Sequence, residues 1–496
     1  MRQENITDPL QRWDKAVYKA KLQRSAYAAY PRFFGYKPQK DTDPCNPGKA
    51  VTRKIDGKAD LYIFFYLHGL SLLNDKGSFC FITSNSWLDV GYGRDLQEFL
   101  LRQGHVRLIL DNQAKRSFSD ADVNTVIALL SAPQDKKDSG LAETARFAMF
   151  KVPFEGVLSP VVFEEIEEAE GRMSREEFRV MTVPQQQLLE EGMARLDEEE
   201  ETPSKKPVVY AAGKWGGKYL RAPDIYWTIM EKGRDKLVRL GDIAEVRRGF
   251  TTGANDFFYL DEKRIEQWGI EEQFLKPVIK SPRECKGYVI KPGDLKFRMF
   301  LCNLSKNQLR GTVALEYIKW GESKGFHRVP SCSSRRTWYD LGTRRIAPLI
   351  SPSSVSELPR TFRNSGVYAD KRLYEIYPHE YADRIHLVTN STLSSMFLEI
   401  GSRTGLGEGL LDLTVYELAD CPIVNPKLLG DITWFVSAAE DITVLSLRDE
   451  LSNPVKRRLD ALVFDALELT QGERDAVYES VLAIVECRMR KAESLK

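Results

Sequence analysis

The chain has 496 residues, enough for roughly two to four domains with an ample core. Its 72 basic and 71 acidic residues nearly cancel, which excludes a general positive field, so any nucleic-acid surface must be a local patch. No window approaches the about 18 apolar residues of a membrane span. The opening MRQENITDPLQRWDK has no apolar signal-peptide core, so a cytoplasmic protein away from membranes is expected. Seven scattered cysteines (Cys45, Cys80, Cys285, Cys302, Cys332, Cys421, Cys487) form no Cys-x-x-Cys pair, and the five histidines are dispersed. Free thiols and no metal site are expected.

Residues 1–58 are polar, aromatic and basic. ADLYIFFYLHGLSLL then places Leu61, Phe64, Phe65, His68 and Leu72 at helical spacing. Asn74-Asp75-Lys76-Gly77 is turn chemistry. SFCFIT reads as a short buried strand, RDLQEFLLRQG as a helix ending at Gly104, and HVRLILD and VNTVIALLSA as two more strands. This order resembles one half of an open α/β sheet.

Beyond about residue 155 the sequence is charged and partly helical, and the run Asp197–Glu201 before Thr-Pro-Ser-Lys-Lys reads as a solvated linker. From Lys236, KLVRLGDIAEVRRGFTTGANDFFYL suggests helix or turn, strand, glycine turn and strand. From Asp431 the chain is helical, with apolar positions three and four apart in VKRRLDALVFDALEL and ERDAVYESVLAIVECRMRKAESL.

An α/β fold that binds a nucleotide carries its glycine-rich loop after the first strand. No such loop precedes the first strand here. Gly91-Tyr-Gly93 comes too late and reads as a loop; Gly405-Leu-Gly407-Glu-Gly409 has no βαβ unit before it and reads as a turn. No nuclease Pro-Asp…Asp/Glu-x-Lys pattern stands out.

Ala59-Asp60-Leu61-Tyr62, Leu72-Leu73, Gly77, the run Phe81 to Leu88, and Phe118 before Asp122-Val-Asn-Thr-Val resemble adenine-specific (N6) DNA methyltransferases of the TaqI-like and type IIG-like kind. In that family a cofactor motif and a catalytic Asn-Pro-Pro-Tyr precede this sequence, and a target-recognition domain follows it. Neither the glycine loop for S-adenosylmethionine nor Asn-Pro-Pro-Tyr occurs here; Asn46-Pro47-Gly48 is a decoy with one proline and no aromatic. The start Met1-Arg2-Gln3-Glu4 is similar to words that follow the tetrapeptide, so the chain looks like such an enzyme cut just after it.

The resemblance implies that Phe118 packs against an extruded adenine and that Phe65 touches the cofactor's adenine. Both positions also suit plain core packing. It further implies a recognition domain in which Arg247, Arg248, Thr251, Thr252 and Asn255 contact DNA, since glycines permit a tight loop and guanidiniums hold phosphates or guanine edges. Arg335, Arg336 and Trp338 form a second patch for DNA, or else a strand that pairs arginine with nearby acids. His386 reads as packed, with the segments from Asp383 to Phe397 and Leu418 to Pro426 as the domain's last strands.

The resulting expectation is an incomplete Rossmann-like α/β methyltransferase domain followed by a mixed α+β target-recognition domain and C-terminal helices. Its parts are 1–155, the C-terminal half of the catalytic domain; 156–235, a charged helical linker; 236–430, the recognition domain; and 431–496, a helical segment. The expected function is one part of a restriction–modification methyltransferase that acts on double-stranded DNA. It would use S-adenosylmethionine together with an N-terminal methyltransferase half and be inactive alone, with no catalytic residue of its own. The alternatives are a DNA-recognition subunit without catalysis or a truncated gene product.

Overall fold

In the computed structural model, residues 15–118, 123–134, 136–195, 208–404 and 409–494 are described. They divide into two compact units. The front unit runs to Ala222 and includes 403–409 and the chain's last residues from Glu486; the rear unit holds Pro223–Ser402 and Leu410–Val485.

The front unit begins with helix α1 (Lys15–Ala29) and helix α2 (Leu61–Ser71). Asp60 starts α2: its carboxylate accepts from the Leu61 amide at 2.7 Å, as an N-terminal cap should. Strand β1 (Ser78–Ser84), helix α3 (Arg94–Gln103) and strands β2 (His105–Asn112) and β3 (Thr125–Ser131) follow the expected order. β3 lies antiparallel between β1 and β2, so these two run the same way, joined through α3. Strand β4 (Thr144–Phe150) continues the sheet, followed in the chain by helix α4 (Pro160–Glu168) and strands β5 (Arg172–Ser174) and β6 (Phe178–Pro184). The sheet order is β1-β3-β2-β4-β6-β5. Only β2 and β4 are parallel neighbours, so this is a mixed sheet.

Three expectations change here. The segment 156–235 is not a helical linker, because β6 pairs with β4 along its whole length and Phe178 and Val180 are buried with Leu110, Phe150 and Ile166. Residues 208–222 also belong to the front unit, and 223–235 to the rear one. β1 is not a buried strand: it is one of the two edge strands of the sheet, and Cys80 and Ile82 on one of its faces are exposed. Its other face packs on α2, where Tyr66 meets Phe79 and Phe81 with ring centroids 5.8 and 5.2 Å apart. In α2 itself, Leu61, Phe64 and Leu67 turn inward, whereas Phe65, His68 and Leu72 form an outward stripe. The runs Met1–Glu4, Asp197–Glu201, Gly405–Glu408 and the Asp122 end of the Phe118 motif lie outside the described residues.

Beside two two-stranded sheets, the rear unit contains among its described residues a five-stranded and a four-stranded one. The larger joins β7 (Ala244–Arg248), β10 (Val289–Ile290), β12 (Leu349–Pro352), β13 (Phe362–Asn364) and β15 (Leu373–Pro378), in the order β7-β15-β12-β13-β10. The smaller joins β8 (Tyr259–Leu260), β9 (Leu275–Ile279), β11 (Phe297–Phe300) and β14 (Tyr368–Ala369), in the order β8-β11-β9-β14. Against the smaller sheet, helix α5 (Val313–Ser323) buries Tyr317 and Ile318 among Phe257, Phe274 and Phe300.

Asp383 to Phe397 does not form strands. It makes helix α6 (Ala382–Thr389) and most of helix α7 (Thr392–Gly401). α7 is buried on all sides from Thr392 to Ile400, which makes it a core helix and hides the polar face that would mark a surface helix. Helix α8 (Pro454–Ala466) supports its start: Asp460 accepts from the Thr392 amide at 2.7 Å and the Thr392 hydroxyl at 2.6 Å. Helix α9 (Gln471–Glu493) closes the chain, as the 3–4 spacing predicts. Among the described residues, no helix is long and apolar enough to cross a membrane.

Candidate nucleic-acid interface

The loop after β7 is built by close backbone approach. A Cβ on Gly249 would come within 2.4 Å of the Asp370 carbonyl oxygen, and Gly253 has φ +79°, so both positions require glycine. Phe250 between them is buried and its amide donates to the Ala369 oxygen at 2.7 Å. Thr252 is buried too, and its hydroxyl donates to Asn255 Oδ1 at 2.5 Å. Thr251 remains exposed.

Arg335 holds this loop from the far side. Its guanidinium donates to the carbonyl oxygens of Thr251 at 2.7 Å, Thr252 at 2.8 Å and Trp338 at 3.2 Å. The same group lies 5.6 Å from the Phe258 ring centre. Trp338 is half-buried, donates Nε1–H to Glu322 at 2.9 Å and packs on Phe257 at 4.6 Å. Arg335 and Trp338 thus shape the loop, and Arg336 between them is exposed. The segment is a short helix, Pro330–Ser333, running into a loop, not a strand.

Arg247 and Arg248 are both exposed, but they do not form one patch. In the β7–β15 ladder Arg247 stands opposite Glu375 and Arg248 opposite Tyr374. Successive strand residues point to opposite faces. Arg247 therefore shares a face with Glu245, Glu375 and Tyr377, while Arg248 lies 6.0 Å from the Tyr374 ring centre. Glu375 is buried; burial raises its carboxyl pKa, partly offset by the Arg344 cation, and the Tyr377 hydroxyl oxygen lies 3.1 Å from it. The sequence reading passed over both acids, since an acid in a basic segment gives no signal until strand pairing sets it beneath an arginine.

In the front unit Phe65 and Phe118 are 58% and 45% exposed, which removes the core-packing reading for both. Phe118 follows Ser117, whose hydroxyl accepts from Thr125 at 2.8 Å at the start of β3. Asn85, just after β1, is buried, and its backbone amide donates to the Asn124 backbone carbonyl at 2.9 Å. Asn46 serves only a local turn, accepting from the Gly48 amide at 3.0 Å. His386 is packed: buried, hydrogen-bonded to the Thr361 carbonyl at 3.1 Å, and lowered to a pKa of about 4 by burial and the nearby Arg363 cation.

Residues 212–451 match the family model for the C-terminal domain of the type II methyltransferase M.Eco57I, and residues 39–118 match that of the Eco57I restriction-modification methylase. The type II methyltransferase M.AccI of Acinetobacter calcoaceticus is 23% identical over 302 residues, covering 60% of this chain and 48% of the relative. The chain thus spans about half the length of that curated relative. Among solved structures, the type IIG restriction endonuclease BpuSI aligns with 96% of this chain and 53% of its own, at 13% identity and a TM-score of 0.43. The ATP-dependent Type ISP enzyme LlaBIII bound to DNA aligns with 87% of this chain and 28% of its own, at 10% identity and a TM-score of 0.32. The two family matches and the curated relative support a type II restriction–modification methyltransferase.

Proposed function

We propose that this chain supplies the DNA-recognition region and part of the catalytic fold of a site-specific adenine-N6 DNA methyltransferase. The observation that carries this reading is the exposed arginine beside the glycine-framed loop, in the unit whose sequence matches a methyltransferase C-terminal domain. On this reading Arg247, Arg248, Thr251 and Arg336 contact duplex DNA, while Thr252, Asn255, Arg335 and Trp338 hold the loop in shape. Phe118 offers an aromatic face on which an extruded adenine stacks.

Methyltransferases related to this chain use S-adenosylmethionine at the family level. The residues present fit one wall of such a site: the Phe65 ring is exposed, but the sequence holds no glycine loop for the ribose and methionine and no Asn-Pro-Pro-Tyr for the adenine amine. On this reading the chain alone does not activate the adenine amine. β1 at the sheet edge, with Cys80, Ile82, Phe65 and Leu72 exposed near it in sequence, supports an incomplete Rossmann-like domain whose N-terminal half binds here.

The test is transfer of a labelled methyl group from S-adenosylmethionine to mixed-sequence duplex. The 496-residue chain alone should transfer none, and adding the N-terminal half of a related enzyme should produce N6-methyladenine. Transfer by the chain alone, or to cytosine in the mixture, would overturn this reading.

A further inference from the structure

Two arginines outside the glycine loop share the face of Arg247. Arg345 lies 4.3 Å from the Tyr377 ring centre, and Arg247 lies 6.0 Å from the same ring. Arg344 lies 4.4 Å from the Phe250 ring centre, donates to the Arg248 carbonyl at 2.9 Å and sits 3.5 Å from Glu375. The Tyr377 hydroxyl donates to the Arg345 carbonyl at 2.9 Å, which fixes the backbone that presents this arginine. Aromatic faces hold guanidinium planes by cation–π attraction and leave the N–H edges free to point outward.

One carboxylate serves two of these cations. Glu245 hydrogen-bonds Arg247 and pairs with Arg345 at 2.9 Å. The side chains of Arg247 and Arg345 are 55% and 66% exposed. Two exposed cations on a single carboxylate leave a net positive charge at the surface. In a chain that is neutral overall, such a strip must supply local attraction for a polyanion.

We infer that Arg247, Arg344 and Arg345 form one phosphate-binding strip for duplex DNA, and that Glu245 is its internal counterion, displaced by a backbone phosphate when DNA binds. This rests on the proposed DNA-recognition role, and it places the phosphate strip on the face of Arg247, whereas Arg248 on the other face stands outside the strip. A carboxylate and a phosphate oxygen compete for the same guanidinium edges. Glu245 therefore weakens binding to every duplex alike, since phosphate contacts carry no sequence information.

The test measures binding of the full chain to a labelled duplex of mixed sequence, across a salt series. Arg345→Ala should weaken binding roughly three- to tenfold at about 0.1 M salt and lower the log–log salt slope by about 0.9. Glu245→Gln should do the opposite, tightening binding and steepening the slope by up to about 0.9. Arg345→Lys, which keeps the charge, should keep the slope; Arg345→Gln, which removes it, should lower the slope as alanine does and replaces the alanine variant if that one fails to fold. Arg248→Ala should change binding less than Arg345→Ala does. If the parent binds duplex but Arg345→Ala and Glu245→Gln leave affinity and slope unchanged, or Glu245→Gln weakens binding, the strip is wrong and the recognition reading stands. If the parent binds no duplex, both fall.

Discussion

Lys491 Nζ lies 3.0 Å from Asp111 Oδ1, although 380 residues separate them in the chain. Their side chains are 11% and 7% exposed, so the pair is almost fully withdrawn from water. The last turns of α9 reach the same neighbourhood again: Arg116 donates to the Ala492 carbonyl at 3.1 Å, and Cys487 lies 3.5 Å from the Gln113 oxygen. The segment that leads to Phe118 is thereby tied down by the end of the chain.

Removing one member of a buried ion pair leaves the other uncompensated and costs about 3–5 kcal/mol. Lys491→Ala should destabilise the front unit by that order, read as faster hydrogen exchange in residues 105–118. Adding Asp111→Asn should restore part of the loss. Unchanged exchange in Lys491→Ala would mean that the pair does not hold this segment.

His386 predicts a pH dependence with a definite sign. Burial and Arg363 lower its pKa to about 4, whereas an unfolded histidine titrates near about 6.5. The unfolded chain takes up the proton first as pH falls, so the stabilising contribution is complete above about 6.5 and is lost towards 4. The rear unit should lose up to about 3 kcal/mol over that window through this group. In His386→Gln the dependence on pH between 6.5 and 4 should be shallower; an identical slope would remove His386 as its source.

The Arg335 guanidinium occupies three carbonyl oxygens, so its replacement should act on the loop rather than on phosphate. Charged hydrogen bonds contribute about 1.5–3 kcal/mol each at most. Arg335→Ala should lower the melting temperature and increase proteolysis between residues 249 and 256, with the salt slope of DNA binding unchanged. A slope reduced by about 0.9 with normal stability would instead make Arg335 a phosphate contact.

How much of this was legible in advance follows from which signals are local. α2, α3, β2 and β3 follow from apolar spacing and from boundary residues such as Asp60, which starts α2, and Gly104, which ends α3, both acting on neighbouring residues. β1 was placed correctly but judged buried, because an apolar run does not show whether the strand is central or outermost. α7 is a helix where strands were expected; Thr392, Ser395 and Glu399 stand at helical spacing in it but are buried with the rest, so no exposed face marks it. β6 was lost within a charged stretch, where burial runs unbroken from Phe178 to Val180 and returns at Val183, so it shows no two-residue alternation. At the site, Gly249 and Gly253 marked the loop through backbone chemistry, but the division of Arg247 from Arg248 depends on a pairing register set by the distant β15. The clamp by Arg335 likewise joins residues some eighty positions apart.

Phe118 separates stability from chemistry. With its ring 45% exposed, Phe118→Ala should change the stability of the front unit by less than about 1 kcal/mol. In a mixture with the N-terminal half of a related enzyme, the same variant should lose methyl transfer while duplex binding persists. A large drop in stability, or transfer at the parent rate, would deny the ring its proposed place against the adenine.

The central claim is that this chain reads a short duplex sequence. The most direct measurement is selection: incubate the full chain with a pool of duplexes randomised over a central stretch, recover the bound fraction and sequence it. The account predicts enrichment of a single short motif containing adenine, and Arg247→Ala paired with Arg345→Ala should lower the fraction retained without changing the motif. Recovery of the pool in its original proportions, or no retention of any duplex, would contradict it.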